Sequence, residues 1–143
     1  MTTIDRLFSG MRAASSGLSA ERTRLDVIAE NIANARNTRA SDGGAYRRKL
    51  VVFEPLLKQQ ESGLTTIEGV RAAKVVQDFR SPMTKIHDPS HPDADEEGFV
   101  QYPNVNAILE MADMVTAMRA YQSNLQLQEN FSDMAERALS IAR

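Results

Sequence analysis

The chain contains no cysteine. That absence excludes disulfide staples, thiolate nucleophiles and cysteine-ligated metal centres. No apolar run comes near the roughly 20 residues that a helix needs to cross a bilayer. The opening "MTTIDRLFSGMRAASSG" also lacks the apolar core of a signal peptide, so export through a cleaved general-secretion leader is not expected. Strong charge of one sign is missing as well. With 17 Lys and Arg against 19 Asp and Glu the net charge is -2, too little field to hold nucleic acid or an anionic membrane. There is no glycine-rich phosphate loop, no Gly-x-Ser-x-Gly elbow and no His-Glu-x-x-His helix. What remains is the composition of an ordinary single domain with a modest core: 143 residues, 42% hydrophobic and 25% charged.

The charges are unevenly spread. Residues 1–50 hold nine Lys/Arg and five Asp/Glu, whereas residues 51–143 hold eight and fourteen. Such an asymmetry suits either weak head-to-tail association or simply solvated helix faces.

Periodicity is what the sequence does have. Ile4, Leu7, Met11, Ala14, Leu18, Glu21, Leu25, Ile28, Ile32 and Ala35 step by three and four without a break. A seven-residue repeat of this length is the seam of a coiled coil. Gly10 and Gly17 lie off that seam, where small size lets another backbone approach. The last segment repeats the theme through Ala107, Met111, Met114, Met118, Tyr121, Leu125, Gln128, Phe131, Ala135, Ala138 and Ala142. Its steps slip once near Gln128, which predicts a local overwinding. Its methionines suit either a private core or a surface that meets unlike neighbours.

Between the helices the composition changes. Asp42-Gly43-Gly44 signals a turn, followed by a β-branched and aromatic run that Pro55 is expected to end. Gly69–Asp78 reads as a second strand and Gly98–Tyr102 as a short third. Residues 80–97, proline-rich and acidic, read as a loop. The expected fold is mainly α, with a coiled-coil-like pair of terminal helices and about three short strands between them. The expected parts are an N-terminal assembly helix over 1–39, a β-rich insertion over 40–103 and a C-terminal assembly helix over 104–143. About 32 residues of helix reach ~48 Å, too long to be covered by a sixty-residue insertion, so the seams read as assembly surfaces.

The most chemical-looking stretch is "KIHDPSHPDADEEG", with His87 and His91 among Asp88, Asp93, Asp95, Glu96 and Glu97. Two imidazoles and carboxylates suggest a metal-dependent enzyme as one rival reading. Pro89 and Pro92, however, forbid the regular helix that would aim both histidines at one ion, and the calcium-loop offsets are unmet. The stretch reads instead as turn chemistry stiffened by proline. No metal, cofactor, nucleic acid or small-molecule substrate is expected. A second rival is a free-standing coiled-coil adaptor.

The residues also carry a resemblance. "LDVIAENIANARNT" is similar to the N-terminal Asn-x-x-Asn motif of the axial proteins of the bacterial flagellum. "DPSHPDADEEGFVQYPNVN" and "EMADMVTAMRAYQSN" closely resemble the proximal-rod proteins of the basal body, over essentially the whole chain. The resemblance implies a non-enzymatic subunit, exported by the flagellar type III apparatus without a cleaved signal. It implies assembly into the rod that crosses the periplasm and transmits torque, with terminal helices inside and the insertion outside. The implied partners are other rod subunits, copies of the chain itself and the adaptor between the rod and the membrane ring. The expected interface residues are Ile4, Leu7, Met11, Leu18, Leu25, Ile28, Asn31, Ile32 and Asn34 on the first helix. On the second they are Ile108, Met111, Met114, Met118, Tyr121 and Leu125. The family-motif loop supplies Asp88, Pro89, His91, Pro92, Tyr102, Pro103 and Asn104. Asn31 and Asn34 are expected to make hydrogen bonds across subunits, and Asn37 to terminate the helix. Glu30 departs from the wider superfamily, where many relatives carry a further asparagine.

Overall fold

The computed structural model describes residues 3–40, 43–59 and 65–141, with side chains from Phe8 onward except those of Lys58, Thr65 and Ile141. Ile4 and Leu7 therefore lie outside the described side chains. Helix α1 spans Thr3–Ala33 and helix α2 spans Ala107–Ile141, about 46 and 52 Å at 1.5 Å per residue. Asn106 caps α2, its Oδ1 accepting from the backbone of Ile108 at 3.0 Å and Leu109 at 3.3 Å.

The helices pack antiparallel in one register. Asn31 bonds Glu110. A Cβ on Gly17 would lie 2.8 Å from Asn124 Nδ2, and one on Gly10 2.4 Å from the Phe131 ring. Fourteen residues back along α1, then seven, match fourteen and seven forward along α2. Both glycines thus admit a side chain of α2 rather than a backbone. Ala14, Ile28 and Asn31 are buried on α1, with Glu110 and Ala117 on α2. The inner stripes are Gly10, Ala14, Gly17, Glu21, Arg24, Ile28, Asn31 and Glu110, Met114, Ala117, Tyr121, Asn124, Gln128, Phe131. Both alternate four and three. The slip expected near Gln128 is absent: it came from following Leu125, which is exposed, and then Gln128 and Phe131, which face inward.

Strands β1 (Lys49–Gln59) and β2 (Thr65–Gln77) form a long antiparallel hairpin. Pro55 does not end β1. It sits opposite Val70, whose N–H turns outward to Ser16 Oγ at 3.1 Å. The nitrogen of Pro55 therefore faces the opposite, free edge of the hairpin, where no donor is required. Gly69 lies close against α1, since a Cβ there would lie 2.2 Å from Ser16 Oγ. From Asn31 to Ser16 is about 23 Å of helix, and from Lys49 to Leu56, the partner of Gly69, about 23 Å of strand. The hairpin thus runs along α1 toward its N-terminus.

A second two-stranded sheet pairs β3 (Thr84–His87) with β4 (Phe99–Tyr102). Strand β3 lies inside the stretch expected to be loop. Its four exposed residues show no alternation, and it owes its form to its partner. Of the expected Asp42-Gly43-Gly44 turn, Asp42 lies outside the described residues, and both glycines have positive φ.

Candidate assembly face and the polar hub beside it

Asn31 is the centre of a buried polar hub. Its Nδ2 donates to the carbonyl of Lys49 at 2.9 Å and to Glu110 Oε2 at 3.0 Å. Its Oδ1 accepts from Tyr46 Oη and from the backbone N–H of Lys49, both at 2.9 Å. Two donors and two lone pairs are all the amide has, so its capacity is used inside one chain. The expectation that Asn31 bonds across subunits is therefore replaced: it ties α1 to the root of the hairpin and to α2. Asn34 donates to the carbonyl of Glu30 at 2.9 Å and accepts from Asn37 Nδ2 at 2.9 Å, and so dresses the end of α1. Asn37 lies beyond that end, its Oδ1 accepting from Arg39 N at 3.1 Å. No described non-glycine residue has positive φ, so termination does not use the left-handed conformation.

Glu110 is only 1% exposed and is the residue that sequence reading missed. Its Oε1 accepts from Arg48 Nε at 2.6 Å, and Arg48 also reaches Asp113 at 3.6 Å. A buried carboxylate with a charged and a neutral donor is fully paired. Around it, Asn104 Oδ1 accepts from Arg48 N at 2.8 Å, and its Nδ2 donates to the carbonyls of Asp78 and Ser81. Asp78 holds the turn after β2 through Ser81 and Arg80, and those bonds, the Ser81 hydroxyl first, keep its carboxyl below the ordinary value. Burial, then the carboxylates of Glu30 and Glu110, push the Tyr46 phenol up from 10.0 to about 12. Glu30 forms an ion pair with Lys49.

The histidine loop is spent on turns. Asp88 Oδ1 accepts from the hydroxyl and N–H of Ser90, and the hydroxyl bond is the main reason its carboxyl titrates low. Asp95 Oδ1 accepts from Glu97 and Phe99, and Asp93 from Thr38. His91 Nδ1 accepts from Asp93 N, with its ring edge-on to Tyr102, and His87 lies edge-on to Phe99. Gly98, with φ 78°, closes the loop against Pro89, while Pro103 is buried and Pro92 exposed. Among the described residues no three His, Asp or Glu groups stand where they could share a metal ion.

The apolar ridges fall elsewhere. Met11, Leu18, Leu25 and Ile32 are half-buried, seven apart on α1. At 100° per residue they lie about 80° round from the contact with α2, and the hairpin contacts at Ala13, Ser16, Ala20 and Val27 lie about 90° the other way. On α2, Ile108, Met111, Val115, Met118 and Leu125 are exposed, Met118 by 47%. They lie about 80–140° round from the inner stripe, on the side away from the hairpin, because the antiparallel helix turns in the opposite sense. Ile28 is inside, and Met114 and Tyr121 are half-buried between the two ridges. One apolar face thus crosses both helices.

A long helix pair with a braced hairpin and an uncovered apolar face across both helices is the form of a structural subunit. Residues 11–39 match the family model described as flagella basal body rod protein, and residues 96–141 that of the flagellar basal body rod FlgEFG protein C-terminal region. The flagellar basal-body rod protein FlgC of Borreliella burgdorferi is 39% identical, covering 94% of this chain and 97% of its own. FlgC of Agrobacterium fabrum is 38% identical over 98% of each chain, and that of Bacillus subtilis 35% identical over 95% and 98%. The chain belongs to the FlgC family of flagellar basal-body rod proteins, structural subunits rather than enzymes. No helix among the described residues is long and apolar enough to cross a membrane.

Proposed function

We propose that the chain is a proximal-rod subunit that enters the periplasm-spanning shaft through the uncovered face of its helix pair, with residues 40–103 outside. The observation that carries this reading is the exposed stripe Ile108, Met111, Val115, Met118 and Leu125 on a helix otherwise paired inside the chain. Exposed apolar residues in a contiguous row mark a surface that meets a partner. Met11, Leu18, Leu25 and Ile32 complete the face. The partners are other rod subunits and copies of the chain, the adaptor to the membrane ring, and the type III export apparatus before assembly. Torque passing along the helices reaches the hairpin because the Asn31 and Glu110 hub joins all three. The test is incorporation into basal bodies. Met118→Asp places a carboxylate on the exposed stripe, and its incorporation is expected to be lost while the purified chain keeps wild-type stability. Normal incorporation would remove the stripe from the interface.

A further inference from the structure

We propose that the outer edge of β1 is a latent strand-pairing site for a second copy of the chain, held shut by Pro55. A two-stranded sheet has two outer edges, and each offers unpaired backbone groups to a passing strand. The edge of β2 is broken up. Both register shifts in the hairpin put the extra residue, Ala73 and Glu68, on β2, and the N–H of Val70 is taken by Ser16 Oγ at 3.1 Å. Strand β1 has no such interruption over its 11 residues. Its run "LVVFEPLL", Leu50–Leu57, carries a single charge at Glu54, and Val52, Leu56 and Leu57 are exposed. A regular, apolar and weakly charged edge is the form that pairs with a like edge.

Alternation fixes which backbone groups face outward. Lys49 turns its N–H and its carbonyl to the Asn31 amide, both at 2.9 Å, so its backbone points away from β2. Residues 51, 53 and 55 follow it on the outer edge at the period of two. Pro55 is placed there independently by its partner Val70, whose N–H also points out of the hairpin. Asn31 thus closes the first position of the edge as a partner strand would. Helix α1 then crosses beneath the hairpin to the β2 edge at Ser16, so among the described elements none covers the β1 edge at Pro55. Only Val51 and Phe53 offer an outward N–H before Pro55, which has none. In an antiparallel pair of β1 edges centred on Phe53, each Pro55 stands opposite Val51 of the second copy. One proline per chain therefore removes two ladder bonds from the pair.

Pro55→Thr restores the missing N–H, and Pro55→Val restores it with a different side chain. Wild type and both variants, as full chains, are compared at matched concentrations by sedimentation velocity, thermal unfolding and amide hydrogen exchange. Both variants are expected to keep a cooperative transition and to associate one step beyond wild type. In that larger species the amides at positions 51, 53 and 55 should be protected, and dilution should remove the species and the protection together. Variants that sediment as wild type does would overturn the proposal, as would a larger species in which these three amides exchange freely. Loss of the thermal transition in both variants would overturn it too, because Pro55 would then serve the fold and not the edge.

Discussion

Replacing Asn31 by alanine tests the hub most directly. The substitution strands four groups at once: the N–H and carbonyl of Lys49, the Tyr46 hydroxyl and Glu110 Oε2. Each buried polar group left unpaired costs about 1–3 kcal/mol, although water entering the vacated space recovers part of it. Glu110 keeps Arg48 and Tyr46 can turn its hydroxyl, so a net loss of about 3–5 kcal/mol follows rather than the full sum. That is a large share of the 5–15 kcal/mol typical of a domain. Asn34→Ala is the internal control, because its amide only dresses the helix end and should cost about 1 kcal/mol. Urea unfolding of both variants decides between the roles. The m-value should be unchanged and the midpoint much lower for Asn31→Ala alone. Hydrogen exchange should show lost protection at Lys49 and in the root of the hairpin before any change near Phe131. An Asn31→Ala variant costing less than about 1 kcal/mol, or no more than Asn34→Ala, would refute the hub.

Three further outcomes follow from the geometry. The folded-state phenol of Tyr46 is raised, so its contribution is fully present below pH 10.0 and lost as pH rises toward about 12, on the order of 2–3 kcal/mol in all; Tyr46→Phe should flatten that limb in alkaline unfolding, and an unchanged limb would count against it. Asp78 is depressed, so its contribution is present above the unfolded value of 3.8 and lost as pH falls through the lower folded value; the stability gap between wild type and Asp78→Asn should close in acid, and a gap that stays constant would refute it. Gly69→Ala should cost about 1–3 kcal/mol by driving a Cβ into Ser16, with partial recovery in Gly69→Ala/Ser16→Ala, measured by thermal unfolding; a neutral Gly69→Ala would mean the hairpin does not sit that close.

The heptads made both helices legible, and their length alone implied partners. What they hid was which face does what. A ridge of Leu18, Leu25 and Ile32 looks like the seam, yet α1 meets α2 through Gly10, Ala14, Gly17 and Asn31. Small residues allow close approach, and a buried asparagine fixes the register, so the more polar stripe wins the internal contact. Glu110 was invisible because its partner Arg48 is 62 positions away and nothing local announces a buried carboxylate. In "AILEMADM" it reads as an ordinary acidic residue of a first helical turn. Strand β3 was hidden for a related reason: all four residues are exposed, and only pairing with Phe99–Tyr102 makes them a strand. Pro55 misled because the rule against proline applies to a paired edge, and its edge is free.

The same reasoning explains why the asparagine at 31 and the leucines beside it belong to different jobs on one helix. Within the chain, Asn31 accepts no substitute, because an aliphatic residue would leave Lys49 and Tyr46 unpaired. It also gains little from packing area. The leucine ridge is the reverse case: half-buried, unpaired in polar terms and specified only by period. Leu25→Asp therefore has two consequences that can be separated. Its side chain is half-buried, so some stability of the free chain should be lost, on the order of 1–2 kcal/mol, as a carboxylate is partly removed from water. Met118→Asp, at 47% exposure, should leave free-chain stability within about 0.5 kcal/mol. Both should fail to incorporate into basal bodies if the apolar face they share is the assembly surface. Incorporation of Met118→Asp together with failure of Leu25→Asp would show that loss of fold, and not loss of the face, governs entry into the rod.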